Sequence, residues 1–85
     1  MKTYKVEVVI ENKPAARDPE GETIHRDLIL KGGYVNVRSV RTGKYLRMII
    51  DAASPEEAEK IAFEICDRLR IYNPVAHVYR IRVET

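Results

Sequence analysis

From Tyr4 to Glu11 the chain alternates. Tyr4, Val6, Val8 and Ile10 recur with period two, while Lys5, Glu7 and Glu11 hold the opposite parity. That is the pattern of a strand with one face in a core and one outside it. Asn12-Lys13-Pro14 closes the strand. Asp18-Pro19 then offers an N-cap carboxylate followed by a residue whose fixed φ suits a first helical turn, so a helix is predicted from near Pro19. Glu20 and Glu22 put negative charge where the helix dipole favours it, Ile24 and Leu28 share a face, and Gly32-Gly33 stops the run. Gly21, inside the first turn, either frays that end or admits a close neighbour where a side chain would stand.

Val35, Val37 and Val40 supply β-branched residues up to Arg41-Thr42-Gly43-Lys44, a glycine-bearing turn that leads into Tyr45-Leu46-Arg47-Met48-Ile49-Ile50. The pattern predicts a β-hairpin. Ser54-Pro55-Glu56-Glu57 is the strongest local signal: a capping hydroxyl, proline at the first helical position, and a glutamate three residues after the cap. Ala58, Ile61, Ala62, Ile65 and Leu69 follow as a stripe that faces a sheet. Asn73-Pro74 ends this helix, because a residue before proline is pushed out of the α region. A last strand runs through Tyr79, Ile81 and Val83, with Arg80 and Arg82 on its other face.

The order strand, helix, strand, strand, helix, strand is the split βαβ arrangement. The fold class expected is therefore α+β: a ferredoxin-like four-stranded antiparallel sheet with both helices on one face, as a single domain over residues 1–85. The uncovered face then carries Val9, Tyr45 and Ile49 among Glu7, Arg47, Arg80 and Arg82. A mixed face of this kind on so small a domain predicts burial against another chain.

Size sharpens that expectation. With 85 residues, 45% of them hydrophobic, the domain is marginal alone and gains from a disulfide, a metal or self-association. Cys66 is the only cysteine, which rules out an intrachain disulfide and fits a reducing cytoplasm. His25 and His77 have no second His or Cys at ligand spacing, so no metal site is expected. Self-association is left. The N-terminal residues alternate polar and apolar, which matches neither a signal peptide nor a membrane span. A formal net charge of +2 is too small to imply nucleic acid, although Arg68, Arg70, Arg80 and Arg82 make the C-terminal part locally basic.

Candidate chemistry is sparse. Gly32-Gly33-Tyr34 follows a helix where a phosphate-binding loop would open one. His25, Asp27 and Cys66 are the residue types of a nucleophilic site, yet nothing in the sequence brings them together; His25 is expected at an exposed helix position and Cys66 as a packed small hydrophobe. Glu20, Glu22, Glu56 and Glu57 are accounted for by the helix starts they occupy. RNA binding on such a sheet uses paired aromatics, and Tyr45 stands alone.

The chain resembles the PurS family in the joint spacing of several short motifs. They are Asp18-Pro19-Glu20-Gly21; Gly33-Tyr34 with Val37 and Val40-Arg41; Gly43-Lys44-Tyr45; Ala58-Glu59; and Cys66, Leu69, Asn73-Pro74-Val75 and Tyr79. The resemblance runs from Tyr4 to Glu84, departing at Arg70-Ile71-Tyr72 and in the longer Asn12–Arg17 connection. It implies the small non-catalytic subunit of phosphoribosylformylglycinamidine synthase, in de novo purine biosynthesis. Such a subunit forms dimers or tetramers, joins a glutaminase subunit (PurQ) to an ATP-dependent synthetase subunit (PurL), and works in the cytoplasm. No cofactor is expected on it, ATP and magnesium belonging to the synthetase subunit. The residues expected at partner interfaces are Asp18, Pro19, Gly21, Arg41, Gly43, Lys44, Tyr45, Asn73 and Pro74. Two other classes share the topology. An ACT-like regulatory module would need a ligand loop after the first strand, and an acylphosphatase-like enzyme an anion-binding loop there; Asn12-Lys13-Pro14 resembles neither.

Overall fold

The alternating segment forms β1, Lys2–Asn12, and its apolar parity goes inside: Val6 and Val8 are fully covered, and Tyr4 and Ile10 nearly so. The structure, a computed structural model, describes residues 1–84. β1 is flanked by β2, Gly43–Ala52, and β3, His77–Glu84, both antiparallel to it, giving the order β2-β1-β3. Val6 stands opposite Met48 on one side and Val83 on the other, so the inward parity of all three strands coincides.

One helix covers that face. α2, Pro55–Arg68, starts at Ser54, whose Oγ accepts from the Glu57 N–H at 3.2 Å, and it packs on all three strands. Its buried residues are Ala58, Ala62 and Cys66, spaced by four. Small side chains along this line let the helix backbone settle close to the sheet, over Val6, Val8, Ile10 and Ile50. Burial pushes the Cys66 thiol above its ordinary pKa, which keeps it protonated and inert as a nucleophile.

The first helix does something different. α1, Pro19–Thr23, continues into a wider π-helical stretch, Ile24–Leu30, and this rod packs neither on the sheet nor on α2. Gly33, at φ 96°, turns the chain back, a backbone conformation that costs glycine little. The return segment then runs along the rod: Tyr34 N–H donates to the Ile29 carbonyl at 3.2 Å, and His25 Nε2 lies 2.6 Å from the Val37 carbonyl. Residues 19–42 thus form an arm. The molecule measures 51 × 27 × 14 Å with a radius of gyration of 16.3 Å, where a compact chain of this length would have about 12 Å.

The expected four-stranded ferredoxin-like sheet with both helices on one face is therefore corrected for the isolated chain. Three strands form the sheet among the described residues, and α2 alone covers it. Val35, Val37 and Val40 have the β-branched character of a strand, but propensity does not choose a partner, and here the partner is the chain's own helix. The turn expected at Arg41–Lys44 is likewise taken up elsewhere: Arg41 and Thr42 bind the foot of the arm, and Gly43 and Lys44 already belong to β2. His25 is half-buried against the return segment, not exposed.

Candidate functional site

Most of the residues singled out in the sequence gather at one end of the sheet, where β1 ends and β2 and β3 begin. At the centre is Asp18, only 4% exposed. Its Oδ1 accepts from the Gly21 N–H at 3.0 Å, as an N-cap should, and its carboxylate also accepts the N–H and Oγ1–H of Thr42. One side chain thereby ties the start of the arm to its end. These bonds, the Thr42 N–H foremost, hold the Asp18 carboxyl below its ordinary value.

Gly21 and Gly43 are required by close approach. A Cβ at Gly21 would lie 2.4 Å from the Val40 carbonyl oxygen, and one at Gly43 would lie 2.7 Å from the Ile10 carbonyl oxygen. Arg41 completes the clamp by donating to the carbonyls of Ala16 and Lys13 at 3.0 Å and of Asn12 at 3.3 Å, fixing the Asn12–Arg17 connection. Pro19 is exposed beside the cap. Gly43 and Lys44 line a polar cleft of about 230 Å³ with Asn12, Glu20 and His77.

Asn73 and Pro74 lie near the same end. Asn73 Oδ1 accepts from the Val75 N–H and its own N–H donates to His77 Nδ1, both at 3.0 Å, while Lys13 N–H donates to the Ala76 carbonyl at 2.9 Å. The turn is thus joined to the connection that Arg41 clamps. Tyr45 stands apart, on the uncovered sheet face, where its hydroxyl donates to Glu7 at 2.5 Å and Arg47 lies 5.9 Å above its ring. Arg80 and Arg82 reach Glu11 and Glu7 across the strands, each at 3.6 Å.

The sequence reading missed Thr42, and with it the root of the arm. Asp18 announced a cap, but its second partner lies 24 residues along the chain and leaves no local signal. The structure does not bring His25, Asp27 and Cys66 together: His25 lies against a backbone carbonyl, Asp27 is paired with Arg26 at 2.9 Å, and Cys66 is in the core. Among the described residues no group of three or more His, Cys, Asp or Glu side chains is placed to hold a metal, and no helix is long and apolar enough to cross a membrane.

The Asp18 carboxylate carries a pH prediction. Its folded pKa lies below the unfolded value of 3.8, so its contribution to stability is fully present above that value and is lost as the pH falls through the lowered one. Asp18→Asn removes the charge and turns an amide toward Thr42 N–H. The variant is expected to lose amide protection at residues 18–22 and 42 at neutral pH and to show a shallower decline with acid. Protection and acid profile equal to the parent would contradict this role.

Comparison with known proteins agrees along the whole chain. The family model described as "PurS: Phosphoribosylformylglycinamidine (FGAM) synthase" matches residues 5–85. The phosphoribosylformylglycinamidine synthase subunit PurS of Methanocaldococcus jannaschii is 38% identical over 81 residues, 95% of each chain. That of Archaeoglobus fulgidus is 43% identical over 75 residues, 88% of this chain and 91% of the relative. Among solved structures, a chain of PurLQS from Thermotoga maritima superposes with a TM-score of 0.87 at 31% identity, covering 99% of this chain and 100% of that one.

Proposed function

The chain belongs to the PurS family, and on that footing we propose that it is the small bridging subunit of phosphoribosylformylglycinamidine synthase. In this role it holds the PurL synthetase and the PurQ glutaminase together, so that ammonia released from glutamine reaches formylglycinamide ribonucleotide. ATP and magnesium act on the synthetase subunit, and this chain supplies surfaces in place of an active site. The observation that carries the reading is the match to a chain of the PurLQS structure over its full length. The place of work is the cytoplasm.

Self-association completes the fold. The gap left by the arm lies on the β2 side of α2. At 100° per residue, Ile61 and Ile65 turn toward that side, and with Leu69 they line a groove of about 340 Å³. Beside it the outer edge of β2 has no strand partner among the described residues. The arm carries what is missing: the β-branched segment Val35–Val40, and Leu28 and Val35, which are 66% and 79% exposed. A second copy's arm laid there would add the fourth strand of the ferredoxin-like sheet and cover the groove, each copy giving what it receives. Two equivalent copies then present the root residues Asp18, Pro19, Gly21, Arg41, Gly43 and Lys44, together with Tyr45 and Asn73-Pro74, to the larger subunits.

Size-exclusion chromatography with light scattering tests the bridging. PurL and PurQ from the same source are expected to co-elute only when this chain is added, in the presence of substrate nucleotide and glutamine. Co-elution of the two large subunits without it, or its own failure to join them, would contradict the reading.

A further inference from the structure

The two edges of the sheet permit different partners. Were the β2 edge not taken by a second copy's arm, a second β2 paired so that Ile49 meets Ile49 would set Arg47 opposite Asp51 twice, an attractive arrangement. β3 offers such a register only at its very end, where centring on Val83 sets Arg82 opposite Glu84 but pairs residues 82–84 alone among those described. With the two sheet faces aligned, centring an antiparallel pair on residue 80, 81 or 82 sets Arg80 on Arg80, Arg80 on Arg82, or Arg82 on Arg82. Like charges directly opposite destabilise a pair. Charged side chains of this kind guard an edge against a copy of itself, and they leave it open to a foreign strand of opposite charge.

The surroundings of β3 suit such a strand. On the helix side a groove of about 480 Å³ runs between β3 and α2, floored by Phe63, Tyr79 and Ile81 and rimmed by Glu56, Glu59 and Lys60, so that it suits the apolar side chains of such a strand and not its carboxylates. Phe63 is 38% exposed. Its ring centroid is 5.7 Å from that of Tyr79, which lies 4.7 Å from buried Tyr72, so the floor is anchored in the core. On the other face the Arg80 and Arg82 side chains are 77% and 75% exposed, each held to a glutamate by one contact of 3.6 Å. A guanidinium has five donors in a planar fork that matches a carboxylate. Most of that capacity is free.

We propose that the β3 edge and the α2–β3 groove accept an extended segment of a heterologous partner subunit in which acidic and apolar residues alternate. The segment adds as a strand beside β3. Its carboxylates meet Arg80 and Arg82 on the open face, and its apolar side chains enter the groove over Phe63 and Tyr79, as period-two alternation requires. This goes beyond the bridging role and stands on the chemistry of the edge alone, so its failure would leave that role intact.

The test uses the full chain and an acetylated, amidated eight-residue peptide alternating glutamate with valine and phenylalanine, followed by fluorescence anisotropy and amide exchange. Saturable binding below about 1 mM is expected, with new protection along β3 and none along β2. Replacing the peptide's glutamates by lysine should weaken binding at least tenfold. The double variant Arg80→Glu, Arg82→Glu should reverse the preference and take the lysine peptide, which a merely misfolded protein would not do. Phe63→Ala should weaken both peptides without altering the charge preference. No saturable binding, protection on β2, or a double variant that binds neither peptide while retaining its native amide protection would overturn the proposal. So would β3 protection in the protein alone that grows with its own concentration, which would assign the edge to a second copy.

Discussion

Replacing Gly21 by alanine is expected to release the arm and weaken self-association at least tenfold, while the three strands and α2 stay folded. The added methyl would sit 2.4 Å from the Val40 carbonyl oxygen and 3.0 Å from Asp18 Oδ2. Neither atom is the free end of a flexible side chain. Val40 is backbone, next to the Arg41 whose guanidinium holds three carbonyls, and Asp18 is gripped by Gly21 and Thr42. Relief therefore requires the root to open, and the arm then loses the fixed direction in which it is presented to a second copy. A tenfold loss of affinity corresponds to about 1.4 kcal/mol, within the range seen for a strained backbone site. The core has no stake in this contact, because the rod does not touch the sheet. Amide exchange should show protection lost over residues 19–42 and kept in β1 and α2, and light scattering should show dissociation at higher protein concentration. Parental protection and affinity in the variant would mean that the root is not rigid.

How much of this was legible depended on distance along the chain. β1 could be read because one parity is apolar without a break from Tyr4 to Ile10, and α2 because a capping box and an apolar stripe agreed. Each is specified by neighbours within a few positions. The arm is not. Its helix start was marked by Asp18-Pro19-Glu20-Gly21, yet what that helix packs on is set by Gly33 turning the chain back and by Val40 fitting against a bare Gly21. A segment with strand propensity was in the right place for a hairpin, and sequence alone could not show that its first partner within the chain is its own helix.

The site shows the same division. Asp18, Gly21, Arg41 and Gly43 were visible as motif residues, and the structure gathers them into one root. Thr42, which closes it, was passed over as a turn residue. Arg80 and Arg82 were noted as the polar parity of the last strand. Their consequence for partner choice emerges only when β3 is known to be an edge, which is a property of the sheet and not of the strand.

The bridging account has a direct biochemical consequence. If the chain couples glutamine hydrolysis to amide transfer, its absence must cost most where ammonia has to pass from one subunit to another, and least where ammonia is supplied from solution. The measurement is formation of formylglycinamidine ribonucleotide by PurL and PurQ with ATP and magnesium, fed by glutamine or by ammonium, with and without this chain. The account predicts that omission abolishes most of the glutamine-fed rate, by tenfold or more, and leaves the ammonium-fed rate close to its full value. Equal glutamine-fed rates with and without the chain would contradict it.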